Sequence, residues 1–195
     1  MLTVSFFYLT NCNSQNFDID LLKSINPQNP TSIVMRGLTS SAYPIGAVVP
    51  LAQLVTGYAT KNKSLQYKGW ETVGSLAATV VVAEGLKYAI NRQRPYITYP
   101  GAVFPYDGSE TGLSFPSGHT SIAFATATSL SLEYKKWYVV VPAYLWAAGV
   151  GYSRLYLGEH YPSDVFAGAV VGAGSAWLSH WLTKKVFNKT PNNTN

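Results

Sequence analysis

The chain has 195 residues, enough for one domain with a real core and too few for two comfortable ones. Only 12% of them are charged against 47% hydrophobic, a deficit that points toward a membrane, although a mean hydropathy of +0.06 leaves a compact helical protein in water as the other reading. The net charge of +5 suits an anionic partner, but no long basic run exists, so nucleic acid is set aside; the lone Cys12 excludes a disulfide framework and a Cys-based zinc site.

Residues 1–25 read as a lead before the domain. Its apolar start, Leu2 to Leu9, fits either an atypical signal remnant without a basic flank or a frayed terminus. Leu9-Thr10-Asn11-Cys12 resembles a lipoprotein cleavage box only poorly, because Asn precedes the cysteine. After polar Asp18, Asp20 and Lys23, apolar stretches follow at 40–60, 70–91, 118–133, 137–154 and 163–183. Each is too long for an ordinary strand and most carry small residues, which predicts an all-α domain over 26–187: a compact bundle of about five to six helices, followed by a disordered Asn-rich tail at 188–195. The lengths straddle the ~20 residues that cross a bilayer, and Glu84 within the second stretch is expected to face other helices.

Short turns between successive helices put Lys61, Lys63 and Lys68, then Lys135 and Lys136, then Lys184, Lys185 and Lys189 on one face, with Trp70, Trp137 and Trp181 near the same edge. In a membrane that face is cytoplasmic, which predicts an integral protein of the cell envelope with its other face periplasmic or extracytoplasmic; a soluble periplasmic protein is the alternative.

The chemistry-bearing residues collect on the opposite face. Lys87 and Arg94, seven apart, are expected on one side of the second helix, which Pro95 then stops; Arg92 points away on that ideal helix and is not assigned to the site. Ser117 and Gly118 open the third helix, where amide groups without partners can cradle a phosphate, and His119 stands beside them to exchange a proton. Arg154 ends the fourth helix. His160 precedes the fifth, and Asp164, four residues on, is expected to take an imidazole N–H and fix the tautomer. Each fragment alone also fits a structural role: cations at a helix end, a serine cap, an acidic first turn. His180, at the lysine end, is expected to be structural or interfacial.

In order, the fragments read Lys-x6-Arg-Pro, Pro-Ser-Gly-His and Ser-Arg-x5-His-x3-Asp. From Lys87 to Asp164 the chain resembles the type 2 phosphatidic acid phosphatase superfamily, which also holds bacterial acid phosphatases and vanadium haloperoxidases; the long insertion or second half expected of a haloperoxidase is lacking. The resemblance implies a phosphatase that needs neither metal nor cofactor and acts on monoesters or pyrophosphates of lipids or small molecules. It assigns phosphate binding to Lys87, Arg94, Ser117, Gly118 and Arg154, nucleophilic attack to His160 oriented by Asp164, and proton transfer to His119. Vanadate is the expected inhibitor. The long connection from Tyr96 to Phe115 is expected either to cover the site or to be a solvated connector. A soluble exported acid phosphatase, a phosphotransferase, and a transporter or scaffold that kept the fold are the alternatives.

Overall fold

The computed structural model describes residues 17–108 and 112–187. Residues 17–25 are helical (α1), followed by α2 (Ile33–Ala59), α3 (Lys63–Ile90), the short α4 (Pro95–Thr98), α5 (Gly118–Tyr134), α6 (Trp137–Tyr156) and α7 (Pro162–Phe187). The described residues contain no strand, and the bundle is all-α as the sequence predicts.

Local signals set the helix ends. Ser32 Oγ accepts from the Met35 amide at the start of α2, and Asn62 Oδ1 accepts from the Leu65 amide at the start of α3. At the far end of α3, Asn91 takes the left-handed conformation with φ of 52°, as asparagine tolerates. Pro162 opens α7.

At the centre lies α5, packed against α2, α3, α6 and α7. Its buried positions are Thr, Ser and Ala with one Ile, Ile122, and Thr126 and Ser131 donate their hydroxyls to carbonyls one turn back. Small side chains allow close approach. A methyl on Gly172 of α7 would stand 2.1 Å from the Ser121 carbonyl oxygen, so glycine is required there.

Val48, Val55, Val81, Phe166, Val170 and Trp177 point outward and are exposed. Three helical stretches, Ile33–Ala59, Lys63–Thr98 and Pro162–Lys185, are long and apolar enough to cross a bilayer. Such an apolar belt has no use in water, and the protein is integral to a membrane. The lysine groups meet as expected: Lys68, Lys135 and Lys184 line one cavity of about 590 Å³. His180, on the same cavity, places Nδ1 2.6 Å from Glu71 Oε1.

Residues 17–25 pack onto the rest of the bundle: Ile19 and Leu22 are buried in one core cluster with Val103, Leu155 and Tyr161, α1 presenting an apolar face to the end of α6 and the loops beside α7. Residues 1–16 and the tail at 188–195 lie outside the described residues. The second apolar stretch faces other helices as expected, α3 packing against α2, α5 and α7; Glu84 is half-exposed on the groove between α2, α3 and α5, its carboxylate paired with Lys87, one turn on, at 2.9 Å.

Candidate active site

The ends of α3 and α6 and the starts of α5 and α7 lie at the end of the bundle away from the lysines. Lys87, in the last turn of α3, holds Nζ on Glu84 Oε1; a methyl built on Gly118 would come within 3.9 Å of that Nζ, so the ammonium stands beside the start of α5. Arg94 is not on α3 at all. The helix ends at Ile90, and Arg94 is the extended residue before Pro95, which opens α4 instead of merely stopping α3. The expected geometry of two turns of one helix therefore fails, yet Arg94 still turns inward. It is buried, donating Nε to the Gly112 carbonyl at 3.0 Å and Nη1 to Glu159, at 3.1 Å to the carbonyl and 3.2 Å to Oε2.

Ser117 occupies the N-cap position of α5 without capping it: its hydroxyl accepts from Thr120 Oγ1 at 2.9 Å, and its amide donates to the Asp164 carbonyl at 3.0 Å. The first-turn amides of a helix have no partner inside it, so the start of α5 offers donors to an anion. His119 packs edge-on against Tyr43 of α2, with ring centroids 4.6 Å apart. Arg154, buried in the last turn of α6, donates Nη1 to Thr39 Oγ1 at 2.8 Å. Thr39 and Tyr43 are four apart on α2, one face of a helix, so α2 also borders the site.

His160 is buried in the loop before α7. That loop turns at Gly158, with φ of 71°, where a Cβ would meet the Phe104 carbonyl oxygen at 2.5 Å. Nδ1 of His160 lies 3.6 Å from Asp164 Oδ2, longer than a hydrogen bond, and finds no nearer partner among the described residues. Asp164 is engaged elsewhere: Oδ2 accepts from the Tyr161 amide at 2.9 Å and from the Ser114 hydroxyl, while Oδ1 accepts from Arg92 Nη1 at 2.8 Å. Burial pushes the His160 imidazole down to about 4; Asp164 opposes that shift, and the Arg154 and Arg94 cations add to it. His160 is therefore neutral at neutral pH.

Arg92, set aside on helical phase, is the clearest correction. Because α3 stops at Ile90, the ideal-helix phase does not apply, and its guanidinium bridges Asp164 and Asp18. Glu159, Ser114 and Asp18 were not singled out for the site either, since nothing in the periodicity of a loop or of a distant helix marks them. A mostly apolar groove lined by Tyr43, Thr79, Val80, Ala83, Glu84, Gly118, Ser121 and Ile122 opens between α2, α3 and α5 beside Lys87.

Residues 68–188 match the PAP2 superfamily. A lipid A 1-phosphatase of Porphyromonas gingivalis is 35% identical over 73% of this chain, which spans 31% of that protein's length. An undecaprenyl-diphosphatase of Sulfolobus acidocaldarius is 29% identical over 84% of the chain and 77% of its own. The crystal structure of LpxE from Aquifex aeolicus superposes with a TM-score of 0.67 at 28% identity, covering 85% of this chain and 95% of that one.

Proposed function

The chain belongs to the PAP2 superfamily, and we propose that it hydrolyses phosphate monoesters or pyrophosphates of lipids, without a metal, through a phosphohistidine on His160. The observation that carries this reading is a buried imidazole 3.6 Å from the Asp164 carboxylate, with the buried guanidinium groups of Arg94 and Arg154 close enough to act on its charge. A neutral imidazole is a nucleophile, and a phosphate dianion brings the charge that the arginines are placed to meet.

In that reaction Arg94, Arg154 and Lys87 neutralise the phosphate while the Ser117 hydroxyl and the start of α5 hydrogen-bond its oxygens. A ring nitrogen of His160 attacks phosphorus in line, the P–O bond to the alcohol breaks, and protonated His119 gives the leaving oxygen its proton. His119 then takes a proton from water, whose oxygen displaces the imidazole and releases inorganic phosphate. Asp164 orients His160 and, as the site fills, closes the 3.6 Å gap to a hydrogen bond. The carboxylates at the site, Glu159 and Asp164, are each held by an arginine, which supports a mechanism built on side-chain cations.

The mostly apolar groove of about 100 Å³ between α2, α3 and α5, next to Gly118, supports a substrate with an apolar part beside its phosphate. Lipid A 1-phosphatase and undecaprenyl-diphosphatase, the names of two relatives, make lipid phosphates and pyrophosphates the first substrates to test. By the preference of lysine-rich ends for the cytoplasm, the site faces the periplasmic or extracytoplasmic side. Detergent-purified protein is assayed for phosphate release from phosphatidate, phosphatidylglycerophosphate, a polyprenyl pyrophosphate, lipid A and an aryl phosphate. Turnover of a lipid above the soluble ester supports the proposal; turnover of the aryl ester alone favours an acid phosphatase, and an inert protein returns the chain to a non-catalytic role.

A further inference from the structure

We propose that Asp18 and Arg92 form a latch through which α1 positions Asp164 against His160, making both of them positioning residues for the reaction proposed above, on which this inference rests.

The latch is built from residues far apart in the chain. Arg92 donates Nη1 to Asp164 Oδ1 at 2.8 Å and to Ser163 Oγ at 2.6 Å, and Nη2 to Asp18 Oδ2 at 2.8 Å. Its guanidinium lies over the Tyr161 ring, 3.7 Å from the centroid, which holds the plane of the fork. Asp18 Oδ1 accepts from the Ser163 amide at 2.9 Å, and Asp18 Oδ2 also accepts from the Ser163 hydroxyl. A first-turn amide of α7 is thus satisfied by a carboxylate from α1, at the helix end where negative charge is favoured. Asn26, just past α1, donates Nδ2 to the carbonyls of Phe104 and Tyr156, both at 2.9 Å, so α1 is fastened on either side of the loop that carries His160.

One cation is therefore divided between two carboxylates. With Asp18 present, Arg92 holds Asp164 in place without taking the whole of its charge; without Asp18, the same guanidinium would draw Asp164 away from an imidazole already 3.6 Å distant. Without Arg92, Asp164 keeps Ser114 and the Tyr161 amide but loses its cation, and its full negative charge acts on His160. The groups that set the protonation of His160 are then Arg154 of α6, Arg94 and its partner Glu159, and Asp164 of α7, with Arg92 and Asp18 acting only through Asp164. Neither latch residue is placed on the phosphate.

The test uses the full chain in detergent with Asp18→Asn, Arg92→Gln and Arg92→Lys, read by kcat, KM and the titration of histidine labelled for NMR. The latch predicts that Asp18→Asn and Arg92→Gln lower kcat by about tenfold to a hundredfold, the cost of a small misplacement, with KM within about twofold. His160 should titrate at higher pH in Arg92→Gln and at lower pH in Asp18→Asn, and Arg92→Lys should recover part of kcat. Wild-type kcat in Asp18→Asn, or a loss of melting temperature with His160 titrating unchanged, overturns the latch. Inert wild-type protein overturns the phosphatase reading instead, and the opposite shifts of His160 still decide the latch. Should Arg92→Gln not fold, the downward shift in Asp18→Asn decides it alone.

Discussion

The Ser117 amide donates to the backbone carbonyl of Asp164 at 3.0 Å. This one bond joins the start of α5 to the first turn of α7, tying the proposed anion-binding turn to the carboxylate beside His160. It also commits the Ser117 amide, leaving the Ser117 hydroxyl and the following amides as the proposed donors to phosphate. Ser117→Ala is expected to lower kcat/KM by roughly tenfold to a hundredfold, the worth of one hydrogen bond to a charged group, and to lower the melting temperature modestly because the buried Thr120 hydroxyl loses its acceptor. An unchanged kcat/KM against an aryl phosphate would remove the hydroxyl from the site.

His160→Ala should abolish turnover, on the order of a thousandfold or more, while the helical circular dichroism stays the same. Brief incubation of wild type with ³²P-labelled substrate should leave label on the denatured protein that survives alkali and is lost in acid, as a phosphorus–nitrogen bond is. Label carried equally by His160→Ala places the nucleophile on another residue.

The pH behaviour has a definite sign. Burial lowers the His160 pKa to about 4, so the neutral form persists well below the usual histidine range and is lost only as pH falls through that value. NMR of labelled histidine in detergent should show His160 still neutral at pH 5.5. An imidazole that titrates near 6.5 would show the residue to be open to water.

Vanadate, a trigonal-bipyramidal mimic of the transferring phosphoryl group, should inhibit competitively with substrate, and EDTA should leave activity intact. Activity that falls with EDTA and returns with a divalent cation contradicts the metal-independent route.

Gly172→Ala tests the packing that brings the two halves of the site together. With the Ser121 carbonyl 2.1 Å from the added methyl and the Ala125 amide at 2.8 Å, the helices must separate. A loss of at least ~1–3 kcal/mol is expected, seen as a lower thermal midpoint in detergent, and activity should fall with it.

Much of this was legible beforehand for a physical reason. The stretches 118–133 and 137–154 became Gly118–Tyr134 and Trp137–Tyr156, because Pro, Gly and lysine pairs punctuate apolar runs sharply there. The motif residues emerged at one end because alternation of helices leaves little choice. What failed was phase beyond a helix end: Asn91 breaks α3, and every inference about Arg92 and Arg94 that assumed ideal helix was lost with it. Asp18 was illegible, since its partner Ser163 is 145 residues away and the contact leaves no periodic trace.

The central position of α5 also bears on what α7 does for the bundle. With 17 residues and hydroxyls at many of its buried positions, α5 is not among the stretches able to cross a bilayer by themselves. Hiding that polar surface falls mostly to the glycine-bearing face of α7, which packs on α5 more extensively than any other helix. The helix that seats the carboxylate beside His160 is then also the one that lets a hydroxyl-rich segment lie in the middle of the protein.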